Sequence, residues 1–399
     1  MIELLNSRVG VKGPEAFREP VYITRPKLPE IEDVTEKLRE VWASCQLTNN
    51  GMQQRRLEDM LQFKLDVPYV SLFNNGTVAL MAACKSLGLS GEVITTPFTF
   101  AATPHALTWN NIVPVFCDID ADTMNIDASR IESLITEKTS GILAVHTFGT
   151  PCDIEGIEKV AGKYGLKVVY DAAHAFGIEV DGVGVGNFGD ISMVSFHATK
   201  IFHTAEGGAL LYKGAGLKER IDCMRNFGIK SEDEVVMAGL NGKMNEIQAA
   251  IGIVNLKSVD EEIERRKKLT CLYRYLLDDV DGISFYCLPE NVKGNYHYFV
   301  IRIDEDVFGV SRDAVCEKLK EYNVFARKYF YPLCSDYQCY LHLRSADPKG
   351  LEVARKVASE VLCLPLYGDL KEGDVERICA MLKGFAAEKP AKVLAESIY

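Results

Sequence analysis

Ser195-Phe196-His197-Ala198-Thr199-Lys200, followed closely by Ala205-Glu206-Gly207-Gly208, sets one lysine just beyond an apolar strand and ahead of a tight glycine turn. A lysine ammonium is strongly hydrated. Held at the mouth of a buried sheet it loses pKa and becomes an amine nucleophile for a carbonyl. Lys200 is therefore a candidate Schiff-base lysine, weighed against the ordinary reading of a solvated residue after a strand.

Upstream, Lys167-Val168-Val169-Tyr170-Asp171-Ala172-Ala173-His174-Ala175-Phe176-Gly177 reads as a β-branched strand that delivers an acid and an imidazole at its carboxyl end. A lysine, a carboxylate and phosphate donors are what pyridoxal phosphate requires: one for its aldehyde, one for its ring nitrogen, the rest for its phosphate. A candidate phosphate site lies in Ser71-Leu72-Phe73-Asn74-Asn75-Gly76-Thr77-Val78-Ala79-Leu80, where a strand meets a helical pattern at Gly76. Backbone N–H groups and the helix dipole converge there, Gly76 lets an anion approach, and the Thr77 hydroxyl can add a bond while capping the helix. An ordinary capped turn remains the alternative at Gly76-Thr77, as a helix cap does for Asp171.

Further apolar runs continue the series: Tyr69 to Phe73, Glu92 to Thr96, Val113 to Asp118, Ile142 to Thr147, Lys167 to Asp171, Ile191 to Phe196 and Gly208 to Tyr212. Short unbroken runs indicate strands buried on both faces, and helical patterns at Thr77 to Gly88 and Asp153 to Gly165 indicate crossovers. The first two-thirds is thus expected to be a mostly parallel α/β layer. From Glu246 one long helix is expected to run into the charged stretch Asp260 to Lys268 and bridge two domains. A strand at Tyr296 to Ile303, a helix around Arg312 to Tyr322 and a helix after Asp374 suit a smaller α+β domain. The polar segment Ala386 to Tyr399 is expected to fray.

The 399 residues suffice for two domains, and the 47% hydrophobic content suits a sizeable core. No apolar run is long enough to span a bilayer, and Met1 to Asn6 does not read as a leader, so a cytoplasmic enzyme without membrane contact is expected. The 12 cysteines are scattered singly with no C-x-x-C pair, which indicates reduced core thiols and no metal site. A formal net charge of −11 without a basic block excludes nucleic acid as a general partner, so anionic substrates must meet local donors.

With these elements in order, the chain resembles the fold-type I pyridoxal phosphate enzymes, and more narrowly the DegT/DnrJ/EryC1/StrS sugar aminotransferase family. The resemblance spans nearly the whole chain and rests on six segments in the family's order. They are Asn75 to Leu80, Thr96-Pro97-Phe98-Thr99-Phe100-Ala101-Ala102-Thr103, Asp171 to Ala175, Ser195 to Lys200, Ala205 to Gly208, and Gly239-Leu240-Asn241-Gly242-Lys243-Met244-Asn245-Glu246. It implies a seven-stranded, mostly parallel sheet in a large domain (51–255), an N-terminal arm (1–50) and a small C-terminal α+β domain (256–399). It also implies a homodimer or larger homo-oligomer with shared sites.

The family pattern puts Lys200 at the Schiff base, with a proton-shuttling role, and Asp171 at the ring nitrogen. His174 falls where a side chain approaches the ring oxygen or face, and Phe100 where an aromatic stacks on the cofactor; core packing is the other reading of both. Ser195 joins Gly76 and Thr77 at the phosphate, and Asn241 reaches it from the neighbouring subunit. Lys243 and the segment Ala326 to Pro332 are candidate anion contacts or a solvated basic turn.

The resemblance further implies an aminotransferase that takes its amino group from L-glutamate and gives it to a nucleotide-linked 4-keto-6-deoxy sugar. The form Ser-Phe-His-x-Thr-Lys is similar to members that aminate at C4, which points to dTDP-4-dehydro-6-deoxy-D-glucose. A UDP-linked or C3-keto sugar, a free amino-acid or cyclitol substrate, and a non-enzymatic cofactor-binding regulator stay open. Dehydratase relatives carry histidine at the position of Lys200, so the intact lysine favours amino transfer.

Overall fold

The computed structural model describes residues 14–387, so the expectations for Met1 to Asn6 and for the polar tail beyond Ala387 lie outside the described residues. Seven strands form the main sheet: β1 (Tyr69–Phe73), β2 (Glu92–Thr95), β3 (Val113–Phe116), β4 (Thr139–Val145), β5 (Lys167–Asp171), β6 (Ile191–Ser195) and β7 (Gly208–Tyr212). Their order across the sheet is β1-β7-β6-β5-β4-β2-β3. Only β7 runs antiparallel to its neighbours; β2 to β6 form parallel pairs.

Alternate residues of these strands feed opposite cores. Leu143, Val169, Ile191 and Leu210 join Ala79, Leu80 and Ala83 on one face, whereas Ile142, Ala144, Val168 and Tyr170 pack against Ile154, Ile157 and Ala161 on the other. Both faces are therefore covered, which explains why the strands read as unbroken apolar runs. The crevice at the carboxyl ends of the parallel strands is where such a sheet leaves room for a ligand.

Four helices set the framework around that crevice: α1 (Met52–Leu65), α2 (Gly76–Ser86), α3 (Glu246–Leu256) and α4 (Val259–Leu277). The single long helix expected from Glu246 is in fact two. Ser258 leaves helical geometry (φ −109°, ψ 2°), and the amides of Lys257 and Ser258 close three-residue turns onto Val254 and Asn255. Asp260, Glu261 and Glu262 then occupy the first turn of α4, where they complement the positive end of its dipole.

Beyond α4, a three-stranded antiparallel sheet in the order β8 (Ile283–Ser284), β9 (Phe299–Ile303), β10 (Val361–Leu364) packs with α4 and the helices Arg312–Glu321 and Glu372–Ala387. Its core takes in Phe17 and Val21 from the other end of the chain, and Val21–Tyr22 pairs in parallel with Val324–Phe325. The strand expected from Tyr296 starts only at Phe299, because Tyr296 adopts a left-handed backbone (φ 55°) that breaks the extended run.

A buried carboxylate stitches the two ends of the large layer together. Glu246, at the start of α3, accepts the amides of Gln53 at 2.7 Å and Gln54 at 3.0 Å in the open first turn of α1. Gly51 makes room for it: a Cβ there would stand 2.4 Å from Glu246 Cδ. Among the described residues no helix is long and apolar enough to cross a membrane, and all 12 cysteines are free.

Candidate active site

A cavity of about 770 Å³ opens at the carboxyl ends of β1, β5 and β6. Gly76, Thr77, Ser195 and Lys200 line it, together with Phe100, Asp171 and His174. Seven of the eight residues singled out in the sequence thus meet in one place. Asn241 is the eighth; it is exposed and does not line the cavity of its own chain.

Each side chain is delivered by a strand end or helix start. β1 runs into α2 through Asn74-Asn75, and Asn75 is the cap of α2, its Oδ1 accepting the Val78 amide at 2.9 Å. The capping role expected of Thr77 therefore belongs to Asn75, because Thr77 is already inside the first helical turn. This turn is packed tightly from behind: a Cβ at Gly208 would lie 2.8 Å from Gly76 Cα and N, and one at Gly76 would lie 3.3 Å from Ser195 Oγ. The first-turn amides of α2 consequently stand beside the Ser195 hydroxyl with no side chain between them.

β5 delivers Asp171, which is 4% exposed. Its Oδ2 accepts the Thr103 hydroxyl at 2.7 Å and its Oδ1 the Ala173 amide at 3.1 Å. Burial raises its pKa, opposed by those two donors and by the Lys200 charge. A helix-cap role alone does not account for it, since a cap needs no burial and no second donor.

Lys200 sits in the loop between β6 and β7. Three backbone bonds close that loop: Phe196 N to Gly207 O (2.9 Å), Lys200 N to His197 O (2.8 Å) and Thr204 N to Phe196 O (3.0 Å). Desolvation pulls the Lys200 ammonium down to a pKa of about 8, with the Asp171 carboxylate acting the other way. At neutral pH an appreciable fraction of the amine is thus free of its proton.

His174 is buried, and desolvation, helped by the Lys200 charge, holds its imidazole well below the usual pKa. The ring runs parallel to Phe148 and Phe330, at 6.4 and 6.0 Å between centroids. Its Nδ1 is buried without a partner among the described residues. Phe100 is 60% exposed on the cavity wall, so it does not pack into the core.

Some contributors escaped the sequence. Thr103, in the first turn of the helix Ala102–Trp109, and Thr99, in the bend that precedes it, have hydroxyls 2.8 Å apart behind Asp171. Tyr298 lines the cavity from just before β9 and carried no signal of its own. From the basic segment, Arg327, Tyr329 and Phe330 reach the cavity wall, whereas Lys243 does not: it donates to Asn226 Oδ1 at 2.7 Å and lies over the Phe227 ring.

The donor set suits pyridoxal phosphate. A buried carboxylate with two neutral donors still lacks a cationic partner, an amine of lowered pKa stands in the same cavity, and a helix start packed too closely for side chains offers amides to an anion. No group of His, Cys, Asp or Glu among the described residues is arranged to hold a metal ion.

The model of the DegT/DnrJ/EryC1/StrS aminotransferase family matches residues 29–383. A dTDP-4-amino-4,6-dideoxy-D-glucose transaminase of Shigella dysenteriae is 45% identical over 368 residues, covering 92% of this chain and 99% of the relative. One of the same name from Escherichia coli is 46% identical over 367 residues, covering 91% and 98%. Among solved structures, DesI in the presence of its TDP-sugar product superposes with a TM-score of 0.90 at 36% identity, covering 94% of this chain and 95% of that one.

Proposed function

The chain belongs to the DegT/DnrJ/EryC1/StrS aminotransferase family, and from that premise we propose that it transfers the amino group of L-glutamate to dTDP-4-dehydro-6-deoxy-D-glucose. Pyridoxal 5'-phosphate is the carrier in this reading. The observation that carries it is Lys200 and Asp171 lining one cavity with the start of α2. The names of the two transaminases at 45 and 46% identity, and the TDP-sugar product of DesI, support the dTDP-linked acceptor.

In this reading Lys200 would hold the cofactor's aldehyde carbon and Asp171 its ring nitrogen. The amides of Gly76 and Thr77 and the Ser195 hydroxyl would hold its phosphate, and His174 and Phe100 would stand against its ring. Bound there, the cofactor supplies the electron sink for proton removal from the amine-bearing carbon. The protein's share is to place and move protons. Lys200 Nζ, with its pKa of about 8, can both accept and return one near neutral pH. Asp171, buried and fixed in place by the Thr103 hydroxyl and the Ala173 amide, would face the ring nitrogen and hold a positive charge there.

We also propose a homodimer or larger homo-oligomer in which Asn241 serves the neighbouring subunit's phosphate site. Its support is that Asn241 is exposed and bridges to Asn226, next to exposed Phe227 and near exposed Val235 and Val236. Residues 51–255 then form the cofactor domain and 256–399 the small domain over it, with 1–50 as an arm. A cytoplasmic location would give the enzyme access to its glutamate and nucleotide-sugar pools.

Product analysis with glutamate and a set of nucleotide keto-sugars tests the assignment. The expected product is the C4 amine of the dTDP sugar. Amination at C3, or turnover confined to UDP sugars or free keto acids, would replace the proposed substrate.

A further inference from the structure

Besides the two histidines, the cavity is lined by two basic side chains, Lys200 and Arg327. Lys200 is committed to the cofactor, which leaves Arg327 facing the substrates. Its backbone is clamped to β10: Arg327 N donates to Cys363 O at 3.1 Å, and Cys363 N donates back at 2.8 Å. Its guanidinium lies over the Tyr329 ring, 5.7 Å from the centroid, so the planar fork rests on an aromatic face.

Neighbouring cations are already occupied. Lys328 and Arg312 share Asp313 at 3.1 and 2.8 Å. Of the cavity's two acids, Asp171 is turned to Thr103 and Ala173, and Glu206 stands 3.6 Å from His197 Nε2. Among the described residues Arg327 has neither an ion pair nor a side-chain hydrogen bond, so all five donors of its fork are free for a ligand.

The proposed reaction, on which this inference rests, brings two anions to this cavity in turn. Each must present its reacting carbon to the same amine carrier, so the donor's keto acid leaves before the sugar nucleotide enters. A carboxylate and a diphosphate offer the same chemistry, paired anionic oxygens that a guanidinium binds in bidentate fashion. On a chain of net charge −11, a second anion site in this cavity would need a further cation, and Arg327 is the one left over. We infer that Arg327 is a specificity-determining residue used twice per cycle, receiving a carboxylate of the donor in one half-reaction and the diphosphate of the acceptor in the other.

Glutarate, a dicarboxylate without the reactive amine, and dTDP are the probes, titrated into the loaded enzyme by calorimetry. In the wild type each should displace the other. Arg327→Gln should weaken both by roughly ten- to a hundredfold, the range for a lost hydrogen bond to a charged group. Arg327→Lys, which keeps the charge but loses the fork, should fall between. Cofactor content and thermal midpoint should stay at wild-type values, which a merely structural arginine would not allow.

Simultaneous binding of glutarate and dTDP, or weakening of only one of them in Arg327→Gln, would overturn the shared site. If Arg327→Gln fails to load cofactor, the Arg327→Lys titrations decide. Failure of this inference is distinct from failure of the functional reading. In the first case the wild type still moves nitrogen from glutamate to a nucleotide keto-sugar; in the second it moves none, and both fall.

Discussion

The Thr103 hydroxyl donates to Asp171 Oδ2 at 2.7 Å while lying 2.8 Å from the Thr99 hydroxyl, so the buried carboxylate is held by a short relay from a helix start and the bend before it. Burial pushes the Asp171 pKa up and this bond pushes it down. Thr103→Val removes the donor with little change of shape. Hydrogen bonds to charged groups contribute about 1.5–3 kcal/mol, so cofactor affinity should drop about tenfold or more with the fold intact. Equilibrium dialysis of the variant against pyridoxal phosphate measures it; wild-type affinity would mean that the relay does not tune Asp171.

Lys200 and Asp171 are expected to fail differently. Lys200→Ala should lack the visible band that borohydride bleaches in the wild type, and should not turn over. Asp171→Asn should load cofactor weakly yet lose most of its activity, because an amide cannot hold a charge on the ring nitrogen. Absorption spectra and rates on the same preparations separate the two variants. Full turnover from Lys200→Ala would falsify the mechanism.

The pH dependence follows from Lys200. Its pKa falls from 10.5 to about 8, mainly by desolvation, with Asp171 opposing. Only the unprotonated amine captures an aldehyde, so cofactor uptake by the stripped enzyme should rise with pH and level off above about 8. Removing the carboxylate that raises the value should move the midpoint down, so Asp171→Asn should take up cofactor at lower pH. Stopped-flow capture across the pH range reads both; a midpoint near 10 would mean that the amine is solvated.

The sheet and most of the cavity were legible in the sequence for a physical reason. Strands such as Ile142 to Val145 and Val168 to Tyr170 are buried on both faces, and burial on both faces leaves an unbroken apolar run. Their carboxyl ends carry the chemistry, so Asp171, Ser195 and Lys200 came with them. What stayed hidden depends on where the chain bends. The break at Ser258 divides a pattern that is helical on both sides, although Ser258 followed by Asp260, Glu261 and Glu262 carries the marks of a helix start. The cap at Asn75 went to Thr77 because a one-residue shift of a helix start is invisible to periodicity. That Arg327 faces the cavity while Lys243 bonds Asn226 depends on contacts between residues far apart in the chain.

Glu246 gives the clearest case of such a distant contact, and it can be tested on stability alone. The sequence marks it as the opening of a helix, yet its carboxylate caps α1, some 190 residues away, through Gln53 and Gln54. Glu246→Ala leaves two buried amides without acceptors and opens a void beside Gly51. Loss of a helix cap and of bonds to a charged group predicts about 2 kcal/mol less stability. Glu246→Gln keeps one acceptor oxygen without the charge and should lose about half as much. Urea denaturation of the cofactor-free variants reads both values. The Lys200 midpoint near pH 8 should stay in place, because Glu246 does not line the cavity. Unchanged stability in Glu246→Ala would show that water satisfies those amides as well as the carboxylate does.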